Sequence, residues 1–329
     1  MTRKIYQFIG QAVILWAGLA LAGTAGPAAA QTLALEAAEQ ADAAAQPAPE
    51  IPTVKPGEVP EGSVGGMGDI NVYPRRVVMD RRQGVASVGL YNKMPFEGEY
   101  EISIANMVMT NTGRMIPFDN LPEGTDTSRV KTASDMLRWS PRRVVLLGSE
   151  AQTVRIMARP PADLPDGEYR AHFTVVSVPG DVNDGLSIDD AVAGRTSGAG
   201  NVGVTIRPRF GISIPVIVRI GETTLTVGLT DFNLIRTGEG PQVTLTITRS
   251  GTRSAFGDLV ITAPGQDQPL VVARGIGVYP EIDQRKLQLA VNPEFDLSKL
   301  RPGMTLTATF VDDDVTPGQT LAKQTFTLP

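Results

Sequence analysis

The chain has 329 residues, 42% of them hydrophobic and 20% charged, with Gly 34, Pro 25, no cysteine and a formal net charge of −5 at pH 7. That length suits two domains better than one. The lack of cysteine excludes a disulfide framework and any thiolate metal site, and the acidic balance disfavours nucleic acid and anionic lipid as partners.

Arg3 and Lys4 precede an apolar run from Phe8 to Ala22, and Ala28-Ala29-Ala30 puts small residues at −3 and −1 before Gln31. This is the pattern of a secretory signal peptide over residues 1–30, cleaved after Ala30. A retained anchor is the rival reading, since the run is long and holds Trp16; Gly18, Gly23, Gly26 and the alanine-rich exit favour cleavage. Removing residues 1–30 takes away two positive charges and moves the formal charge from −5 to −7. Residues 31–66 are rich in Ala, Glu, Gln and Pro. They lack the apolar content for a core, and a flexible, disordered tether is expected there.

From Gly68 the texture changes to short alternating runs between turn residues, the pattern of β-strands. Ile70–Met79, Val85–Tyr91, Tyr100–Ile104, Arg143–Leu147 and Val154–Met157 come first. In Tyr169–Val175, Tyr169, Ala171, Phe173 and Val175 then alternate with Arg170, His172 and Thr174. After the polar stretch Gly180–Gly200, Val202, Val204 and Ile206 share one strand face. Ile212, Ile214, Val216 and Val218 continue the alternation beyond Pro208 and Gly211. Pro208 and Pro215 cannot donate ladder hydrogen bonds, so this strand is expected at an edge or with a bend.

A second unit is expected over residues 220–329. Its strands are predicted at Thr224–Leu229, Val243–Arg249, Leu259–Thr262, Leu270–Ala273, Lys286–Val291, Met304–Val311 and Lys323–Leu328. The fold class is therefore all-β: two immunoglobulin-like sandwiches, residues 67–219 and 220–329, behind the signal peptide and tether.

Little chemistry is visible. The single histidine, His172, lies mid-strand, where a surface or hydrogen-bonded role is the ordinary one. One histidine and no cysteine leave no triad and no zinc site. Asp181, Asp184, Asp189 and Asp190 form one acidic cluster and Asp312-Asp313-Asp314 another. Neither has the spacing of a calcium loop, and solvated turns are expected. Paired carboxylates for glycoside hydrolysis would be the one surviving enzyme form, but only 5% of residues are aromatic, which offers little for stacking sugars. No catalytic set, metal or cofactor is expected. An edge strand with alternating Val and Ile is an aggregation hazard unless something pairs with it, and strand addition is one use for it; the residues alone favour the plainer alternative, an ordinary inner strand of the sandwich.

Several segments, in order, resemble the PapD-like periplasmic pilus chaperones. They are Arg76-Val77-Val78-Met79, Leu90-Tyr91-Asn92, Ser140-Pro141-Arg142, Gln152-Thr153-Val154-Arg155-Ile156, and Leu164-Pro165-Asp166-Gly167-Glu168-Tyr169-Arg170. The resemblance covers about residues 68–219. It implies a non-enzymatic chaperone in the periplasm that holds pilin-like subunits, working with an outer-membrane usher. It also implies donation of Val202, Val204 and Ile206 into the subunit's open groove, with the subunit's C-terminal carboxylate anchored by Arg76 and a strand lysine. No lysine lies between Val202 and Arg219. Arg209, two residues before the expected position at Gly211 and on the same face of a regular strand, is the substitute the sequence offers. The alternative reading is a structural or adhesive envelope protein that reuses the sandwich.

Overall fold

The computed structural model describes residues 51–65, 69–179 and 209–328. The signal peptide, most of the tether, the acidic cluster Asp181–Asp190 and the strand-donating residues Val202, Val204 and Ile206 lie outside the described residues.

Among the described residues the first sandwich has twelve strands: β1 (Val64–Gly65), β2 (Ile70–Tyr73), β3 (Val77–Met79), β4 (Val85–Asn92), β5 (Gly98–Ala105), β6 (Met107–Met109), β7 (Met115–Pro117), β8 (Leu137–Ser140), β9 (Arg143–Leu146), β10 (Ala151–Ala158), β11 (Gly167–Val178) and β12 (Gly211–Ile220). One sheet runs β1-β2-β4-β10-β8 and the other β3-β12-β11-β5-β9, while β6 and β7 form a hairpin of their own. The alternation read in the sequence is the pleat. In β10, Val154, Ile156 and Ala158 are buried while Arg155 and Met157 face out. The two inner faces meet in a core that includes Val88, Leu90, Ile156, Phe173, Ile214 and Val216. Asn92, which ends β4, donates from Nδ2 to the carbonyls of Phe96, Leu146 and Leu147, tying the β4–β5 turn to the end of β9.

The second sandwich holds β13 (Leu225–Thr237), β14 (Gly240–Gly251), β15 (Ala255–Thr262), β16 (Val271–Val278), β17 (Gln284–Ala290), β18 (Thr305–Asp312) and β19 (Thr320–Thr327). A sheet β13-β14-β17 faces a sheet β16-β15-β18-β19. Leu245, Ile247, Leu259, Ile261, Leu306 and Phe310 form its centre. Each predicted strand of this half overlaps an observed one, though β13 runs eight residues past its predicted end at Leu229. A register shift between Thr230 and Asn233 explains the difference: the irregularity breaks the period-two pattern within one continuous strand.

Both sandwiches belong to one compact unit, Ala48–Pro329. They meet through a small apolar cluster of Met109, Ile217, Phe256 and Tyr279. This contact explains β11, which is buried on both sides. Tyr169, Ala171, Phe173 and Val175 fill the first core, while Glu168, Arg170 and His172, on the side that reads as a solvent face, are also buried.

Candidate functional site

Two places carry the residues singled out in the sequence. The first is β12. Its neighbour β11 covers it from Gly211 to Ile220, but β3 reaches only Val216–Val218 on the other side. Among the described residues, Gly211 to Pro215 therefore has one unpaired edge. Ser177 N–H donates to Phe210 C=O at 2.8 Å, so Phe210, Ile212 and Ile214 turn their backbone groups toward β11. Gly211, Ser213 and Pro215 turn theirs outward. Pro215 thus lacks an N–H on the side where β3 has not yet begun, and the ladder to β11 loses nothing. The edge expected from the prolines is present from Gly211 to Pro215, and beyond it the strand is an inner one; Pro208 lies outside the described residues. Ile212 and Ile214 are buried in the core.

The second place is the junction around Arg76, just before β3. The Arg76 guanidinium donates to the backbone carbonyl of Asp313 at 2.9 Å and to its carboxylate at 3.0 Å, lies 3.7 Å from Asp314, and stacks over the Phe256 ring at 4.1 Å. Arg219 bridges Glu168 and Asp314, and Arg253 approaches Asp314 at 3.8 Å. Asp312 accepts the backbone N–H groups of Asp314 and Thr316 and so shapes the turn that presents the other two acids. The aspartate triplet is therefore no solvated turn. It is the second sandwich's side of an arginine–carboxylate network, and the two sides pair only once the sandwiches dock.

Glu168 is fully buried; it accepts both the backbone N–H and the hydroxyl of Ser254 as well as Arg219 Nε. Arg170 pairs with Glu281 and donates to Met107 C=O at 3.1 Å, and its guanidinium lies 3.6 Å from the centre of the Tyr279 ring. His172 is buried with neither ring nitrogen hydrogen-bonded, edge-on to Tyr279. Burial, then the Arg170 charge, pushes its pKa down to about 3, so the ring is neutral at physiological pH. This corrects the sequence expectation of a surface or hydrogen-bonded residue, and the cause is the second sandwich closing over β11.

Arg76 and Arg209 are not brought together. Arg209 lies exposed at the far end of β12, 3.4 Å from Glu101 of β5 and 3.3 Å from Ser177 C=O. Seven residues of strand, roughly 20 Å, separate it from Val216, which pairs with Val77 beside Arg76. Among the described residues no group of three His, Cys, Asp or Glu residues could hold a metal ion, and no helix is long and apolar enough to cross a membrane.

No family model matches the chain, and no curated protein matches it. Solved structures do. The chain is similar to the YadV chaperone, at 15% identity over 79% of this chain and 100% of that one, with a TM-score of 0.39. It is similar to the structure of the Salmonella enterica SafA pilin in complex with the SafB chaperone, at 12% identity over 80% and 99%, with a TM-score of 0.38. A third is the CsuC-CsuE chaperone–tip adhesion subunit pre-assembly complex of Acinetobacter baumannii, at 11% identity over 79% and 98%, with a TM-score of 0.39.

Proposed function

We propose that this chain is a non-enzymatic periplasmic chaperone for pilus or fimbrial subunits, delivering them to an outer-membrane usher. It binds them by pairing the strand that enters β12 with the subunit's open sheet. The observation that carries this is the edge at Gly211–Pro215, which has no partner among the described residues and follows Val202, Val204 and Ile206 a few residues on in sequence. Those three positions share the parity of Ile212 and Ile214. A regular strand would extend the same apolar face from this core into a partner's groove, with main-chain hydrogen bonds supplying affinity. The order of chaperone-like segments along residues 68–219 supports the same reading.

Arg76 is the carboxylate anchor in this proposal. A fork-shaped guanidinium suits a chain-end carboxylate, and the guest would take it by exchange with Asp313. Arg209 serves the opposite end of the strand, where its exposed pair with Glu101 is worth little and is easily given up.

The test is periplasmic co-expression with pilin-like subunits and purification through a tag on this chain. One subunit should co-purify, Val204→Asp should abolish it, and Arg76→Ala should reduce it. A soluble protein that captures no subunit and self-associates would instead indicate the structural envelope reading.

A further inference from the structure

Beside Arg76 lies a cavity of about 480 Å³ between the two sandwiches. Its apolar wall is Met109, Pro215, Phe256 and Tyr279; Arg75, Arg274 and Arg285 supply charge, and among the described residues no carboxylate lines it. Arg76 also borders it but is neutralised by Asp313 and Asp314. The other three arginines make no ion pair among the described residues. Asp258, bonded to the Gly275 N–H on the cavity wall at 2.8 Å, is an acid close by, and it is engaged with backbone.

Arg285 is the informative member. One of its terminal nitrogens donates to Gly277 C=O at 2.6 Å, and its Nε is buried with no partner. Burial pulls its pKa down, the Tyr279 phenol offsets that only in part, and no carboxylate contributes. The guanidinium lies against Gly113, which has φ +83° and no room for a Cβ, so the β6–β7 turn holds the side chain in place. By contrast, the buried Arg170 and the part-buried Arg76 and Arg219 at this junction each pair with a carboxylate. Arg75 and Arg274 are exposed, but leaving the desolvated Arg285 cation unpaired is costly. An anion inside the cavity offsets that cost and gives the two exposed arginines a shared partner, and the guanidinium fork matches oxyanion geometry.

We propose that this cavity is a binding site for a small multivalent oxyanion, bearing phosphate or several carboxylates, held by Arg75, Arg274 and Arg285 with its body against Phe256 and Tyr279. The cavity shares Pro215 with the strand-pairing edge and is bordered by Arg76, but the groups that would hold the anion, Arg75, Arg274 and Arg285, take no part in that pairing, so either proposal can fail without the other.

The test is calorimetric titration of the purified chain at low ionic strength with pyrophosphate and with citrate, alongside thermal unfolding in each. Saturable binding and a raised midpoint are expected, and the tighter of the two anions identifies the class. Arg75→Gln and Arg274→Gln, both exposed positions that should fold normally, should each weaken binding at least about tenfold, as expected for loss of a charge-assisted contact. Arg155→Gln, on the outer face of β10, should leave it unchanged. Absence of saturable binding for both anions would overturn the proposal, as would binding that survives the Arg75→Gln, Arg274→Gln double variant.

Discussion

Arg170 of β11 and Glu281, which lies between β16 and β17, meet in a two-pronged pair at 2.6 and 3.0 Å, both side chains only 4% exposed. The pair joins the two sandwiches. Glu281 also accepts the Met109 N–H at 2.9 Å, so the β6–β7 hairpin is held by the same carboxylate.

Removing one partner strands the other as a buried charge. Glu281→Ala is therefore expected to destabilise the protein by about 3–5 kcal/mol, whereas replacing both by Met should cost far less, since a well-packed apolar pair avoids the desolvation penalty. Urea unfolding of Glu281→Ala, of Arg170→Ala and of the double Met variant checks this. Equal losses in all three would show that the ion pair itself, and not the stranded charge, sets the energy.

His172 gives a pH signature. Its pKa is lowered from 6.5 to about 3 in the folded chain. Between those values the unfolded state binds the proton and the folded state does not, so stability rises with pH across that window and is lost as pH falls toward 3. Above pH 6.5 the group contributes no slope. His172→Phe keeps a ring against Tyr279 and removes the proton site. The difference in stability between wild type and this variant should therefore change between pH 6.5 and 4 by up to about 1.4 kcal/mol per unit. Parallel stability curves for the two proteins would show that the ring is protonated in place at no cost.

How much of this was legible in the sequence depends on the range of the interaction. Strands such as β10 and β14 announce themselves because alternation is local and each has one core face. Glu168, Arg170 and His172 were hidden because a polar half-strand looks the same whether water or a second sandwich covers it. Asp313 and Asp314 were hidden for the same reason: their partners, Arg76 and Arg219, lie 237 and 95 residues away along the chain. A usable signal did exist, in the charge of Glu168 and Arg170 flanking Tyr169 within a strand otherwise built for a core. The unpaired edge of β12 was partly legible through Pro215, since a missing N–H constrains which neighbour can lie on that side.

Asp313 tests the exchange at Arg76. Its side chain is 22% exposed against 11% for Arg76, so it sits at the accessible rim of the network. Asp313→Asn should loosen its hold on the guanidinium while Asp314 keeps the sandwiches bridged through Arg219. The expected outcome is affinity for a subunit's C-terminal peptide raised by up to about tenfold. The gain should appear with the free acid and be absent with the peptide amide. A gain with both forms, or with neither, would remove Arg76 from the anchoring role.

The outward parity of Ser213 separates strand pairing from folding. Its backbone groups face away from β11, where the described residues place no partner, whereas those of Ile214 face β11. Ser213→Pro deletes one outward donor, and proline's φ is compatible with extended backbone at a strand edge. This variant should fold with a melting temperature near wild type and lose most of its subunit capture. Ile214→Pro should instead break the ladder to β11 and empty a core position, lowering stability by about 3 kcal/mol or more. Measuring melting temperature and co-purified subunit on the same two proteins distinguishes the roles. Full capture by a folded Ser213→Pro protein would mean that the exposed edge of β12 is not the surface that receives the partner strand.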